Sequence, residues 1–188
     1  MAGAAVTGYN LNHFQVAPKS GSPVFKDVNY ATEWEFPISQ DSEILRADGK
    51  AAVTAQGAPE GGGSIGFASI DLATMAVMTG GELSESGTAG TRITRMEVPA
   101  NFNPPALIGV GWIPNVDGNS TSAGLRVTLP NMKLTFPSGS FGQESWSEMS
   151  ADQTFVGDAN DVMLIFEEMA TAPVFTSGVI PTNLAPPS

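Results

Sequence analysis

Along most of the chain, apolar and polar residues alternate one for one, the period of a half-buried β-strand. In VNYATEWEFP (28–37), Tyr30, Thr32, Trp34 and Phe36 fall on one face and Ala31, Glu33 and Glu35 on the other. SEILRADGKAAVTAQG (42–57) is two strand-like runs joined at Asp48-Gly49, a type I′ hairpin signal. APEGGGS (58–64) predicts a flexible loop, and SIGFASI (64–70) a short strand after it. TRITRMEVP (91–99) alternates until Pro99 stops it. Residues 105–136 read as an apolar strand, a turn-rich stretch holding Asp117-Gly118, and two strand runs around LPN. ESWSEMSADQTF (144–155) puts Glu144, Trp146, Glu148, Ser150 and Asp152 on one side. DVMLIFEEM (161–169) is a nearly continuous apolar run, which predicts a strand covered on both faces.

One stretch breaks this rhythm. In SIDLATMAVMTGGEL (69–83), Asp71 stands where an N-cap belongs, and Leu72, Met75, Ala76 and Thr79 follow at one-face helical spacing. Gly80-Gly81 close the turn. Ala73, Val77 and Met78 make the remaining faces almost as apolar, whereas a helix on the surface of a lone domain keeps one face polar. The pattern predicts a second covering layer over that side.

The expected fold is mainly β: an antiparallel two-sheet β-sandwich or barrel with one flanking α-helix at about 71–79 and extended N- and C-terminal arms. Residues 1–27 and 170–188 are rich in Ala, Gly, Pro, Ser and Thr and read as arms that need a partner to become ordered, leaving 28–169 as the domain.

Composition narrows the chemistry. The chain has no cysteine, hence no disulfide framework and no thiolate ligand or nucleophile. His13 is the sole histidine, and a surface position in the N-terminal arm suits no Ser-His-Asp arrangement or histidine metal centre. The glycines of 57–66 lack the G-K-[ST] of a phosphate loop. GDAND (157–161) has carboxylates but not the spacing of a calcium loop, and reads as a tight turn. The carboxylate pairs Glu33/Glu35 and Glu167/Glu168 read as solvated strand faces rather than glycosidase dyads. Neither an enzyme nor a cofactor is expected. No apolar run approaches the ~18 residues of a membrane span, and the N-terminus lacks the basic and apolar regions of a secretory signal.

Charge is the strongest compositional signal. The net charge is −11, and after Lys133 no Lys or Arg occurs, while Glu144, Glu148, Asp152, Asp158, Asp161, Glu167 and Glu168 follow. Such a field repels phosphate backbones and disfavours a nucleic-acid grip.

Several segments in order resemble the major tail proteins of long-tailed, non-contractile bacteriophages. They are EWEFPISQDSEILRADGK, the Gly-rich loop, GFASIDLATMAVMTGGELSESGT, LRVTLPNMKLTF and SWSEMSADQTF. The resemblance covers about residues 28–172. It implies a two-sheet sandwich with one flanking helix, assembled with copies of itself into hexameric rings that stack into a tail tube. It further implies a virion component assembled in the host cytoplasm around a tape-measure protein and contacting tail-terminator and tail-tip proteins. Double-stranded DNA would then pass through the bore at genome ejection without specific binding, and neither a catalytic residue, a metal nor a membrane is implied.

Under that resemblance the residues take provisional places. Glu144, Glu148 and Asp152, then Glu33 and Glu35, are the candidates for an acidic bore lining. Ala73, Val77 and Met78 are the candidate inter-subunit face of the helix. Asp48, Gly49, Glu60, Gly61 and Gly62 are the candidate inter-ring loops. With about four strands per subunit, a ring would enclose a bore of about 40–50 Å, wide enough for duplex DNA. Two alternatives stand beside this one: a capsid decoration or tail-tip protein of similar sandwich, and a carbohydrate- or receptor-binding module using Trp34, Trp112 and Trp146 as platforms.

Overall fold

The computed structural model describes residues 11–21, 23–28, 31–40, 42–47, 50–56, 58–68, 70–115, 122–139 and 149–173. The strands are β1 (His13–Pro18), β2 (Lys26–Asp27), β3 (Ala31–Trp34), β4 (Ile38–Ser39), β5 (Ser42–Ala47), β6 (Lys50–Gln56) and β7 (Glu60–Phe67). Helix α1 (Leu72–Thr79) follows, then β8 (Glu82–Ser86), β9 (Ile93–Glu97), β10 (Leu107–Pro114), β11 (Gly124–Leu134), β12 (Ser138–Gly139), β13 (Met149–Phe155) and β14 (Ile165–Met169). All pairings are antiparallel. The protein is mainly β with one helix among the described residues.

The main sheet runs β2-β1-β10-β11-β13-β7-β3, with β14 also on β11, β12 on β13 and β4 on β7. Its corner is β11. Residues 124–128 pair with β14, whereas 132–134 pair with β13. Between them the register to β10 jumps from Gly109↔Leu129 to Leu107↔Met132, leaving Pro130 and Asn131 in a bulge. Proline has no N–H to donate, so a bulge is where a strand can hold one, and the extra residue bends the strand. LPN therefore lies within one long strand rather than between two.

The bend makes two layers. The first is β2-β1-β10-β11-β14, and the second is the end of β11 with β12, then β13, β7 and β3/β4. Phe14, Val16, Leu107, Leu129 and Met132 meet Ile65, Phe67, Phe155 and Trp34 between them. Glycines vacate contact points both between the layers and within them. A Cβ at Gly111 would overlap the Trp34 indole, and one at Gly61 would overlap the Phe155 ring. Gly63, at φ +132°, has the Glu35 carbonyl where a Cβ would go.

Those glycines correct the expected loop at 58–64. Glu60, Gly61 and Gly62 lie in β7, which pairs with β13 from Phe155↔Gly61 to Met149↔Phe67. The glycine run is selected by packing, not by flexibility. The arm boundary moves too: within 1–27, β1 is an inner strand, and Phe14, Gln15, Val16 and Ala17 are all buried. His13 accordingly lies half-buried opposite Trp112, not on a free arm. Burial pulls its pKa below the usual imidazole value, partly countered by Asp27. The run 161–169 forms a strand only at Ile165–Met169, and among the described residues β14 pairs on β11 alone, with Phe166 55% exposed, so there it is an edge strand rather than a covered one. A bulge between Ala31 and Glu33 turns Ala31 to the same partly buried side as Trp34 and leaves Thr32 exposed, against the simple alternation.

Helix α1 has the predicted limits. The Asp71 carboxylate accepts the Thr74 N–H at 2.8 Å, and Gly80, at φ 71°, donates its N–H to the Ala76 carbonyl at 2.7 Å. Both ends are thereby satisfied by the residues that sequence preference places there. Its faces follow the expected pattern at Ala73, Ala76 and Thr79 but reverse it at Leu72 and Met78. Thr74, Ala76, Met78 and Thr79 are buried, Met78 completely, while Leu72 and Ala73 are exposed. Beyond it, β8 and β9 form an exposed two-stranded ribbon, with the ion pair Arg92–Glu85 across it and Arg95–Glu97 along β9. β5 and β6 form a second ribbon whose register, Ala47↔Lys50, brackets the Asp48-Gly49 position, itself outside the described residues.

Gly61→Ala is expected to destabilise the protein by about 1–3 kcal/mol through forced repacking of Phe155. Gly62→Ala, with only the Gln153 carbonyl at 3.8 Å from its Cβ, should leave the urea midpoint nearly unchanged. For Asp71, partial burial raises the carboxyl pKa, but hydrogen bonds from the Thr74 N–H and hydroxyl and from the Ala73 and Asp71 N–H groups outweigh it and hold the pKa below 3.8. A lowered folded-state pKa means that this contribution is full above 3.8 and is lost as pH falls through the folded value. Asp71→Ala should cost about 1 kcal/mol at neutral pH. Asp71→Asn should keep the cap and reduce the acid sensitivity of thermal melts.

Candidate functional site

The side chains of β13 alternate strictly. Ala151, Gln153 and Phe155 of β13 turn inward against Ile65, Gly63 and Gly61 of β7. Their neighbours Ser150, Asp152 and Thr154 turn outward opposite Gly66, Ser64 and Gly62. Glu33 of β3 pairs with Gly66, and Lys133 of β11 with Thr154, so both join the outward set. Ser138 lies opposite Ser150, and Thr135 accepts the Asp152 N–H at 3.0 Å. The result is a wide surface of Gly, Ser and Thr on which few side chains stand tall. Its charged positions are Glu33, Glu60 and Asp152, with Lys133 the one cation among the described residues. Glu35 is exposed along the same segment, alternating with the inward Trp34 and Phe36.

Gln153 fastens this surface from beneath. It is 2% exposed, accepts the Trp34 indole N–H at 2.9 Å, and donates its amide to the Glu35 carbonyl. With the Glu35 N–H donated to the Ser64 carbonyl, the segment bearing Glu33 and Glu35 is tied to two strands. Phe14, Trp34, Phe36 and Phe166 continue the tie as successive ring contacts with centroids 4.7, 5.1 and 6.0 Å apart.

Of the sequence-predicted bore residues, Asp152 and Glu33 share one sheet face and Glu35 is exposed beside them. Glu144 and Glu148 lie outside the described residues. Of the helix set, Ala73 is exposed, but Val77 is half-buried against the core and Met78 lies wholly inside it. Met78, wholly enclosed in the main core cluster, offers no surface to a neighbour. Asp48 and Gly49 lie outside the described residues, and Glu60, Gly61 and Gly62 belong to β7 rather than to a loop. Trp112 is 3% exposed and Trp34 packs between two phenylalanines, so neither offers a platform to a sugar; Trp146 lies outside the described residues. Sequence reasoning missed Gln153 and Lys133, although both obey the period-two alternation of their strands.

GDAND is a closed turn: the Asp158 carboxylate accepts the Asn160 and Val162 N–H groups at 2.8 and 2.9 Å, and these bonds lower its pKa. Asp161, at φ 62°, completes it. No group of three or more potential ligands is arranged for a metal among the described residues, and no helix there is long and apolar enough to cross a membrane.

Compared with known proteins, the chain matches no family model and no curated protein.

Gln153→Leu should leave the Trp34 N–H buried without its acceptor and cost about 1–3 kcal/mol. A change in tryptophan emission should accompany the loss, since the indole would shift from its seat.

Proposed function

We propose that the protein is a self-assembling structural subunit of a bacteriophage tail tube, and that the outward face of its second layer lines the bore. The observation that carries this reading is that face itself: small side chains, carboxylates at Glu33, Glu60 and Asp152, and one lysine, on a layer four strands wide. Hexameric closure of such a layer gives the bore of about 40–50 Å expected above. Duplex DNA presents a charge every ~1.7 Å of axis, and it would face this wall across roughly one Debye length, ~8 Å at physiological salt. Carboxylates at that range repel weakly and evenly, so the polymer is kept off the wall without being held at any point. Low Gly, Ser and Thr side chains leave nothing to catch on. The lateral edges of the layer, β3/β4 on one side and residues 133–139 on the other, supply backbone for pairing between copies.

The purified chain is expected to form rings or open tubes visible by electron microscopy as concentration rises. A monomer that persists across salt and concentration overturns the reading. Tubes built from Asp152→Lys, Glu35→Lys protein should retain duplex DNA at low salt, where tubes of the natural chain exclude it. Equal DNA retention by both would remove these residues from the bore.

A further inference from the structure

We infer that His13 makes the start of β1 an acid-sensitive hinge: when its imidazole takes up a proton, the first residues of the strand unzip from β10. This is independent of the tube reading, because it concerns the first layer alone. The sequence singles the position out. His13 is the one histidine and cysteine is absent, so no other side chain has an ordinary titration between about pH 5 and 8.

The setting of the ring opposes a charge. His13 opens β1, an inner strand between β2 and β10. It is half-buried, and its partner across the ladder, Trp112, is 3% exposed. Trp112 belongs to an apolar cluster with Ala17, Phe25 and Val110. An imidazolium bordering such a surface loses hydration that the surface does not replace.

The nearby carboxylates are already engaged. Asp27 of β2 favours the imidazolium by its charge, but it accepts the Gln15 amide at 2.6 Å. Further along the row His13, Trp112, Arg126 and Glu167, the Glu167 carboxylate accepts the Arg126 Nε–H at 2.7 Å. Burial therefore outweighs Asp27 and holds the imidazole pKa below 6.5. The folded chain favours the neutral ring, so this contribution to stability is full above 6.5 and is lost as pH falls through that value towards the folded one.

The strand end supplies the least costly way to rehydrate a charged ring. Outside His13, the Asn12 N–H donates to the Trp112 carbonyl at 2.9 Å, Asn12 is exposed, and Leu11 is half-buried beside Gly111. Inside it, Phe14, Gln15, Val16 and Ala17 are all buried, so the opening stops there. Strand ends open at far lower free energy than strand centres.

Nuclear magnetic resonance of the natural chain in dilute solution reads the ring directly, because one histidine gives one set of ring signals. The imidazole should titrate below 6.5, and lower still in Asp27→Asn. Across its titration, amide exchange at Asn12 should become faster than in His13→Gln at equal pH, while Gln15 and Ala17 stay protected in both chains. The thermal midpoint of the natural chain should fall between about pH 7.5 and 5.5, and that of His13→Gln should stay level. An imidazole that titrates at or above 6.5 overturns the hinge, as does equal Asn12 exchange in the two chains. So does exchange that quickens equally throughout β1, since the whole strand rather than its end would then respond. None of these results bears on whether copies form tubes.

Discussion

The Trp34 indole occupies the space that a side chain at residue 111 would need, and its N–H is held by Gln153. Everything else in the molecule depends on that contact between layers. It joins β3 and β13 of the second layer to β10 of the first, and through Phe14 and Phe36 it reaches β1 and β14. A large ring set on bare backbone buries more apolar area than two medium side chains in contact could, and the hydrogen bond fixes its orientation. Gly61 under Phe155 and Gly109 beside Met132 repeat the device. The core is therefore built from a few large groups against glycine, which explains how a chain with so many glycines still has an interior.

The same device shapes the outer surface. Because the inward positions of β7 and β13 do the packing, the outward positions are left to Gly62, Ser64, Gly66, Ser150 and Thr154. The outward face is smooth because the bulk is spent on the inward one. Its carboxylates stand on a base that the Gln153 amide keeps from shifting, so their spacing is a property of the sheet rather than of mobile loops.

How much of this the sequence announced varied with the local physics. The limits of α1 were legible because both ends use side-chain and backbone preferences that act within four residues, Asp71 and Gly80. The β5–β6 pairing was legible for the same reason, through Asp48-Gly49. The shared face of Glu33 and Asp152 was only half legible: each lay on an alternating run, but their common side depends on two pairings with β7. What misled were residues whose role is set at long range. Gly61 and Gly63 read as part of a loop because the Phe155 ring and Glu35 carbonyl that require them are remote in sequence. β1 read as an arm because its partner β10 begins about ninety residues later. Met78 was given to a neighbour because helical spacing alone does not say which of several apolar stripes meets the core.

The pairing of β1 with β10, and of β7 with β13, sets an order of events in synthesis. When β1 leaves the ribosome, β10 has not been made, and when β7 emerges, β13 is still far behind it in the message. The corner strand β11 gains its β14 neighbour only after β13 has also been made. The nascent chain therefore cannot complete either layer until β13 and β14 have followed. A chain with this topology closes its two layers only once these long-range pairings form, so its slow step is bringing distant strands together rather than folding any one of them.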